Sequence, residues 1–211
     1  MTLRPWARRI AVSTVSAAAL VALAVPAEAA TSTSTATTTA ATTASSAEVG
    51  YDTWQQDCQA VMGQALPYLK QRIANTKPGE KQAIVFDIDN TTLETDFGFS
   101  YPQPANKPVQ EVAKYAQEHG VSLFFVTARP GIIYTVTDYN LKYVGYKVSG
   151  LHVRGFFDLF KNVADYKTAQ RVDIENKGYT IIANIGNSAT DLSGGHAEKT
   201  YKLPDYNGQL S

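Results

Sequence analysis

Two aspartates, Asp87 and Asp89, close a short apolar run in the stretch AIVFDIDNTTL, residues 83–93. Side chains two apart on an extended strand share a face, so both carboxylates can turn towards one site while Ile88 packs behind them. Carboxylates at that spacing suit phosphoryl transfer through an aspartyl-phosphate. They repel one another unless positive charge lies between them. A divalent cation, hard and oxygen-seeking, meets that need and neutralises a phosphate ester as well. Other chemistry-bearing residues also follow apolar runs: Thr127 and Arg129 after VSLFFV, and Asn187 after TIIANIG with Asp191 four further on. Lys167 stands at the opening of the helix before that last strand.

The elements that must position these groups alternate. A helix is predicted over residues 51–75, with Pro67 dividing or kinking it because an interior proline removes a backbone donor. A strand over 82–89 follows. Residues 94–106, ETDFGFSYPQPAN, have no period and predict an irregular loop beside the acidic strand end, a length that is usually functional. An amphipathic helix comes next, with Val109, Val112, Ala113 and Ala116 on one face, Pro108 at its start and Gly120 just past its end. The pattern then repeats: strand 121–126, helix 130–143, strand 151–153, helix 166–177, strand 179–185 and a short strand near 199–203. Alternation, with strands apolar on both faces such as LFFV and TIIANI, predicts an α/β fold with a mainly parallel sheet in three layers. In such sheets ligands bind beyond the carboxyl ends of the strands, the edge at which all these residues gather.

The ends of the chain carry no chemistry of this kind. Arg4, Arg8 and Arg9 precede an apolar run over residues 10–25, and Ala27, Glu28 and Ala29 give an A-x-A cleavage pattern. Residues 1–29 therefore read as a secretion signal, the apolar run being short of the roughly 20 residues that span a bilayer. Residues 30–46, almost wholly Thr, Ser and Ala, hold no large apolar side chain with which to offset chain entropy and read as a flexible linker. Residues 47–211 suffice for one domain with a full core. Removing residues 1–29 takes away three Arg and one Glu and leaves 16 basic and 18 acidic residues, a charge near −2. That argues against a nucleic-acid polymer as partner. The single cysteine, Cys58, cannot form an internal disulfide; with Trp54, Val61, Met62 and Ala65 it has helical spacing, which predicts a buried structural thiol. His119, His152 and His196 show no metal-ligand spacing.

Taken in order, DIDNT, FFVTARP, DYKTAQR and NIGNSATDL resemble the four motifs of the haloacid dehalogenase (HAD) superfamily, spanning residues 83–191. More closely, the chain is similar to its secreted class B-like acid phosphatases and plant vegetative storage protein relatives. They share a leading helix, the phrase N-I-G with a downstream S-D-L or T-D-L, and an ending like YKLP. The resemblance implies a HAD-type sheet with a small cap formed by residues 92–107, which leaves the pocket open to varied phosphate monoesters.

It also implies roles. Asp87 would attack phosphorus and become phosphorylated, and Asp89 would protonate the leaving oxygen and then take a proton from water. Thr127 would donate to a phosphoryl oxygen, and Lys167 would offset charge between nucleophile and phosphate. Mg²⁺ would be held by Asp87, Asp89, Asn187 and Asp191, with the main-chain carbonyl of Asp89 taking part. Thr91 would hold the turn that presents Asp87. Arg129 would contact phosphate or pair with a carboxylate on the rim; Phe97, Phe99 and Tyr101 would cover the pocket or pack the loop.

One position departs from the pattern. The fourth motif usually has aspartate where this chain has Asn187, which supplies an oxygen without charge. Dehalogenases of the superfamily work without metal and carry Asn in this region, but they lack the second aspartate of the first motif. Asp89 therefore favours phosphate chemistry: an exported acid phosphatase that uses Mg²⁺ and keeps no membrane span after signal cleavage. The alternatives are a secreted phosphate-binding or storage protein without catalysis, favoured by Asn187, and a nucleotide-specific phosphatase.

Overall fold

A computed structural model describes residues 49–98 and 100–210. The secretion signal, its cleavage site, the linker and Phe99 lie outside the described residues. The order is α1 (Tyr51–Ala74), β1 (Lys81–Phe86), α2 (Lys107–Glu118), β2 (Ser122–Pro130), α3 (Tyr134–Tyr143), β3 (Val148–Arg154), α4 (Val163–Asn176), β4 (Tyr179–Gly186), α5 (Ala189–Leu192) and β5 (Thr200–Lys202). Short 3₁₀ turns at Gly131–Ile133 and Phe156–Phe160 precede α3 and α4.

The five strands form one sheet in the order β3-β2-β1-β4-β5, with every pairing parallel. Alternation along the strands sends neighbours to opposite faces. Ile84, Phe86, Leu123 and Phe125 join Trp54, Met62 and Leu69 of α1 and Val109, Val112 and Ala116 of α2 in the larger core. Ala83, Val85, Phe124 and Val126 turn the other way, against Tyr166 and Ile174 of α4. Burying one large apolar side chain contributes roughly 1.5–3 kcal/mol, so strands packed on both faces anchor the architecture. Two glycines serve close packing: a Cβ at Gly150 would overlap the Phe124 ring, and one at Gly186 would overlap Asp191.

Several elements differ from their sequence-based bounds. Helix α1 runs unbroken through Pro67, its apolar face (Trp54, Cys58, Met62, Ala65, Leu69, Ile73) fully seated on the core. Strand β1 stops at Phe86, short of the acids. Strand β2 extends through Thr127 and Arg129 to Pro130, and Pro130 begins no helix. Asn162 caps α4 by accepting from Ala164 N–H at 2.8 Å, so the helix starts at Val163 and Lys167 lies in its second turn. Cys58 is buried in α1, where burial pushes its thiol up to about 11. No helix among the described residues is long and apolar enough to cross a membrane.

Candidate active site

From β1 the chain proceeds to β2 and β3 on one side, and β4 and β5 lie on the other, so the order reverses between β1 and β4. A crevice opens beyond the strand ends at such a point. Here it is a cleft of about 350 Å³ lined by Asp87, Asp89, Ala128, Arg129, Val163, Lys167, Asn187, Ser188, Thr190 and Asp191.

Asp87 is the first residue past β1, tied to β4 by its N–H on the Ile185 carbonyl at 2.9 Å. The turn after it converges on Ile88, whose carbonyl accepts from the N–H groups of Thr91, Thr92 and Leu93. Asn90 takes the left-handed conformation this requires, with φ 49°. Asp87 and Asp89 thus reach the cleft from a tight turn, whereas strand alternation alone had predicted a shared strand face. Thr92, not Thr91, secures this turn: its hydroxyl donates to the Asp87 carbonyl at 3.1 Å, and its own carbonyl accepts from Tyr146. Thr91 instead donates to Asn187 Oδ1 at 3.3 Å.

Lys167 joins the first and fourth motifs. Its ammonium donates to Asp87 Oδ1 at 2.6 Å and also to Asp191 Oδ1. All three side chains are nearly inaccessible to water. Burial raises the Asp87 carboxyl to about 7; Lys167 pulls against this, and Asp191 and Asp89 add to it. Burial also works against the Lys167 ammonium, but attraction to Asp87 and Asp191 outweighs it and holds the lysine above its usual range. No hydrogen bond among the described residues engages Asp87 Oδ2, the oxygen left for the cleft.

Asp89 stands closer to solvent and meets Arg129. The guanidinium donates from Nε to both carboxylate oxygens at 3.2 and 3.1 Å and from Nη2 to Oδ1 at 2.8 Å. Arg129 also donates to Gln103 Oε1 and Thr137 Oγ1, and Thr95 adds a hydroxyl to Asp89. Thr127 is buried at the base of this arm. Its Oγ1 accepts from Arg129 N–H at 3.2 Å, and it does not line the cleft. Of the four residues predicted for catalysis, Asp87, Asp89 and Lys167 line the cleft, and Thr127 is buried beside its rim in β2.

Asp191 is fixed more heavily than the sequence disclosed. Its Oδ2 accepts from Ser188 N–H at 2.8 Å, closing a capping box on α5. Its main-chain carbonyl accepts from Asn184 Nδ2 and Arg171 Nη1, each at 2.8 Å. Arg171, 1% exposed, also reaches the carbonyls of Ser193 and Gly195. It lies one turn beyond Lys167 on the same helical face. The spacing of Lys167 and Arg171 was the available signal for both.

The oxygen donors at the cleft are of the kind that a hard cation such as Mg²⁺ takes. Asp87 and Asp191 offer carboxylate oxygens and Asn187 an amide oxygen, all lining the cleft. Among the described residues no three His, Cys, Asp or Glu side chains gather into a metal-holding group. Mg²⁺ needs no such group, because it commonly keeps one or two carboxylates and completes its shell with waters and substrate phosphate. The three histidines point elsewhere, to Tyr115, Gln170 and Glu175. Phe97 packs on Trp54, ring centroids 4.5 Å apart, while Tyr101 lines an adjoining hollow of about 640 Å³ that shares Asp89 and Arg129 with the cleft.

A parallel α/β sheet with its acids at the switch point and a lysine from a following helix defines a HAD-type protein. The chain belongs to the HAD superfamily, subfamily IIIB (Acid phosphatase), which it matches over residues 7–103 and 100–209. It is 36% identical over 90 residues to the Stem 28 kDa glycoprotein and the Stem 31 kDa glycoprotein of Glycine max; the match covers 41% of this chain. It covers only 35% and 31% of those two relatives. Among solved structures, the class C acid phosphatase from Bacillus anthracis is similar with TM-score 0.55 and 18% identity, over 69% of this chain and 67% of that one. Its tungstate-bound form gives 0.52 and 17%, over the same shares. At these identities the likeness is one of fold.

Proposed function

We propose that this chain hydrolyses small phosphate monoesters through a phosphorylated Asp87. The observation that carries this reading is the buried Asp87 carboxylate, with one oxygen held by Lys167 and the other left for the cleft. In the first step Asp87 Oδ2 bonds to phosphorus as the bond from phosphorus to the leaving oxygen breaks, and Asp89 supplies the proton that oxygen needs. In the second, Asp89 takes a proton from water, whose oxygen attacks phosphorus and releases phosphate and free Asp87. One difficult displacement becomes two easier ones.

Asp89 faces Arg129 at rest. Donating a proton to the leaving oxygen requires it to turn from the guanidinium, which then becomes available to a phosphoryl oxygen. Arg129 thereby serves both roles open to it in the sequence, rim partner and phosphate contact. Mg²⁺, held by Asp87, Asp191, Asn187 and the main-chain carbonyl of Asp89, would supply charge neutralisation for nucleophile and phosphate when bound. Lys167 keeps Asp87 oriented and bridges it to Asp191 throughout. We place the enzyme outside the cell on the strength of residues 1–29, a reading that N-terminal sequencing of secreted material tests.

The test of activity is turnover of an aryl phosphate between pH 4 and 8 with Mg²⁺ or EDTA, by wild type and Asp87→Asn. Turnover that requires both the ion and Asp87 supports the proposal. A folded protein that binds phosphate but turns nothing over supports the second reading, a phosphate-binding protein, which the uncharged Asn187 favours. Comparing nucleoside monophosphates with aryl phosphates tests whether the hollow beside Tyr101 selects a base.

A further inference from the structure

Asn187 occupies the place where the fourth motif usually carries a carboxylate, and its surroundings call for an amide. The side chain is 2% exposed. Its Nδ2 donates to the main-chain carbonyl of Leu210 at 2.8 Å. A carbonyl oxygen only accepts, so the amide nitrogen must face it and the orientation is settled by chemistry. Oδ1 is thereby turned the opposite way, to accept from Thr91.

The segment that brings Leu210 to this spot is itself tied down. Leu203 and Leu210 are buried in the larger core. Tyr206 donates its hydroxyl to Asp57 of α1 at 2.6 Å, and Leu210 N–H donates to the Asp205 carbonyl. Lys202 stitches the two sides together: its ammonium donates to the Asn187 carbonyl and to the Leu203 carbonyl, and pairs with Asp205 at 2.9 Å.

We infer that the Leu210 carbonyl is the positioning group for Asn187, and that this site accepts an amide, and not a carboxylate, at position 187. The inference rests on the proposed role of Asn187 as an oxygen donor to Mg²⁺. Ligand charge alone would make aspartate the stronger donor. In this chain a carboxylate oxygen would face the buried Leu210 carbonyl with no hydrogen between two acceptors. To avoid that contact the side chain must turn, which takes its other oxygen out of the position in which Oδ1 now accepts from Thr91 at the edge of the cleft.

The experiment is calorimetric titration of Mg²⁺ into the full chain, into Asn187→Asp, and into both forms shortened to end at Asn207, with folding checked by circular dichroism. Asn187→Asp in the full chain is expected to bind Mg²⁺ no more tightly than wild type. Shortening is expected to weaken binding to the Asn187 form about tenfold, the low end of the effect of losing a group that orients a ligand, and to tighten binding to the Asn187→Asp form by a similar factor. Binding to full-length Asn187→Asp at least tenfold tighter than to wild type overturns the inference. So do shortened, folded forms in which the two side chains respond alike. If the shortened forms do not fold, the full-length pair decides. Should wild type bind no Mg²⁺, the metal role itself has failed, and the orientation is then read from the Asn187 side-chain amide by nitrogen–proton NMR. Slow hydrogen exchange there supports donation to Leu210, and exchange at the rate of a solvated amide overturns it.

Discussion

Replacing Lys167 with methionine removes a buried cation from between two buried carboxylates while keeping most of the side chain's volume. Lys167 is 4% exposed, Asp87 6% and Asp191 3%. Losing one partner of a buried pair destabilises by about 3–5 kcal/mol, because the remaining charge is left uncompensated. In a domain of this size each kcal/mol shifts the melting temperature by roughly 2–4 °C, so Lys167→Met should melt on the order of 10 °C below wild type near pH 7.5 in EDTA. The deficit should depend on pH. The Asp87 carboxyl already stands at about 7 in the folded wild type, against an ordinary value of 3.8. Losing the lysine removes the attraction that opposed this rise, so the folded variant holds its proton still more strongly. For a carboxyl raised by folding, stability is full below the unfolded value and is lost as pH climbs through the window towards the folded one. The deficit should therefore shrink towards pH 4.5, where Asp87 is neutral in the folded variant. Circular dichroism melts at the two pH values measure this. A deficit equal at both, or below about 1 kcal/mol at pH 7.5, would refute the view that the pair is buried and charged.

Asp87→Asn should remove part of the pH dependence of the metal-free protein. Urea unfolding between pH 4 and 7 should show wild type losing stability as pH rises, by at most about 4 kcal/mol from this group, and the variant losing less; parallel profiles would contradict it. Gly186→Ala places a Cβ against Asp191 Cβ, Cγ and Oδ2. It should destabilise by about 1–3 kcal/mol and weaken Mg²⁺ binding about tenfold, and a calorimetric titration matching wild type would count against the placement of Asp191. Arg129→Lys cannot reproduce the fork on Asp89 together with the bonds to Gln103 and Thr137, so turnover should fall roughly 10- to 100-fold. An unchanged kcat/KM would show that a point charge suffices there.

Much of the fold was legible because the strands obey one simple rule. VSLFFV and TIIANI are apolar on both faces, as strands covered by helices on each side must be, and Pro108 and Gly120 bracket α2. The acids, Arg129, Asn187 and Asp191 could be assigned to one sheet edge on the same grounds. What escaped depends on contacts remote in sequence. Pro67 is tolerated because the apolar stripe of α1 is clamped on the core, so packing overrides the missing backbone bond. Helix α4 was placed late since its first turn, capped by Asn162, holds no large apolar residue, and the face it buries carries Lys167 and Arg171, whose acceptors on Asp87 and the Asp191 loop are remote in sequence. Thr127 and Arg129 both lie near the end of β2, but only the Arg129 side chain reaches Asp89, while Thr127 is buried with its hydroxyl oxygen accepting from the Arg129 N–H. The partner of Asn187 is 23 residues away at Leu210, and it is a main-chain carbonyl, which no side-chain pattern announces.

That Asp87 carries the phosphoryl group is the step on which the proposed reaction depends. It is tested most directly by quenching the enzyme in acid during turnover of an aryl phosphate and mapping its peptides by mass spectrometry. Phosphate is expected on the peptide containing Asp87, absent from the Asp87→Asn protein and from samples quenched before substrate is added. Turnover that persists in Asp87→Asn, or phosphate found on a peptide lacking Asp87, would contradict it.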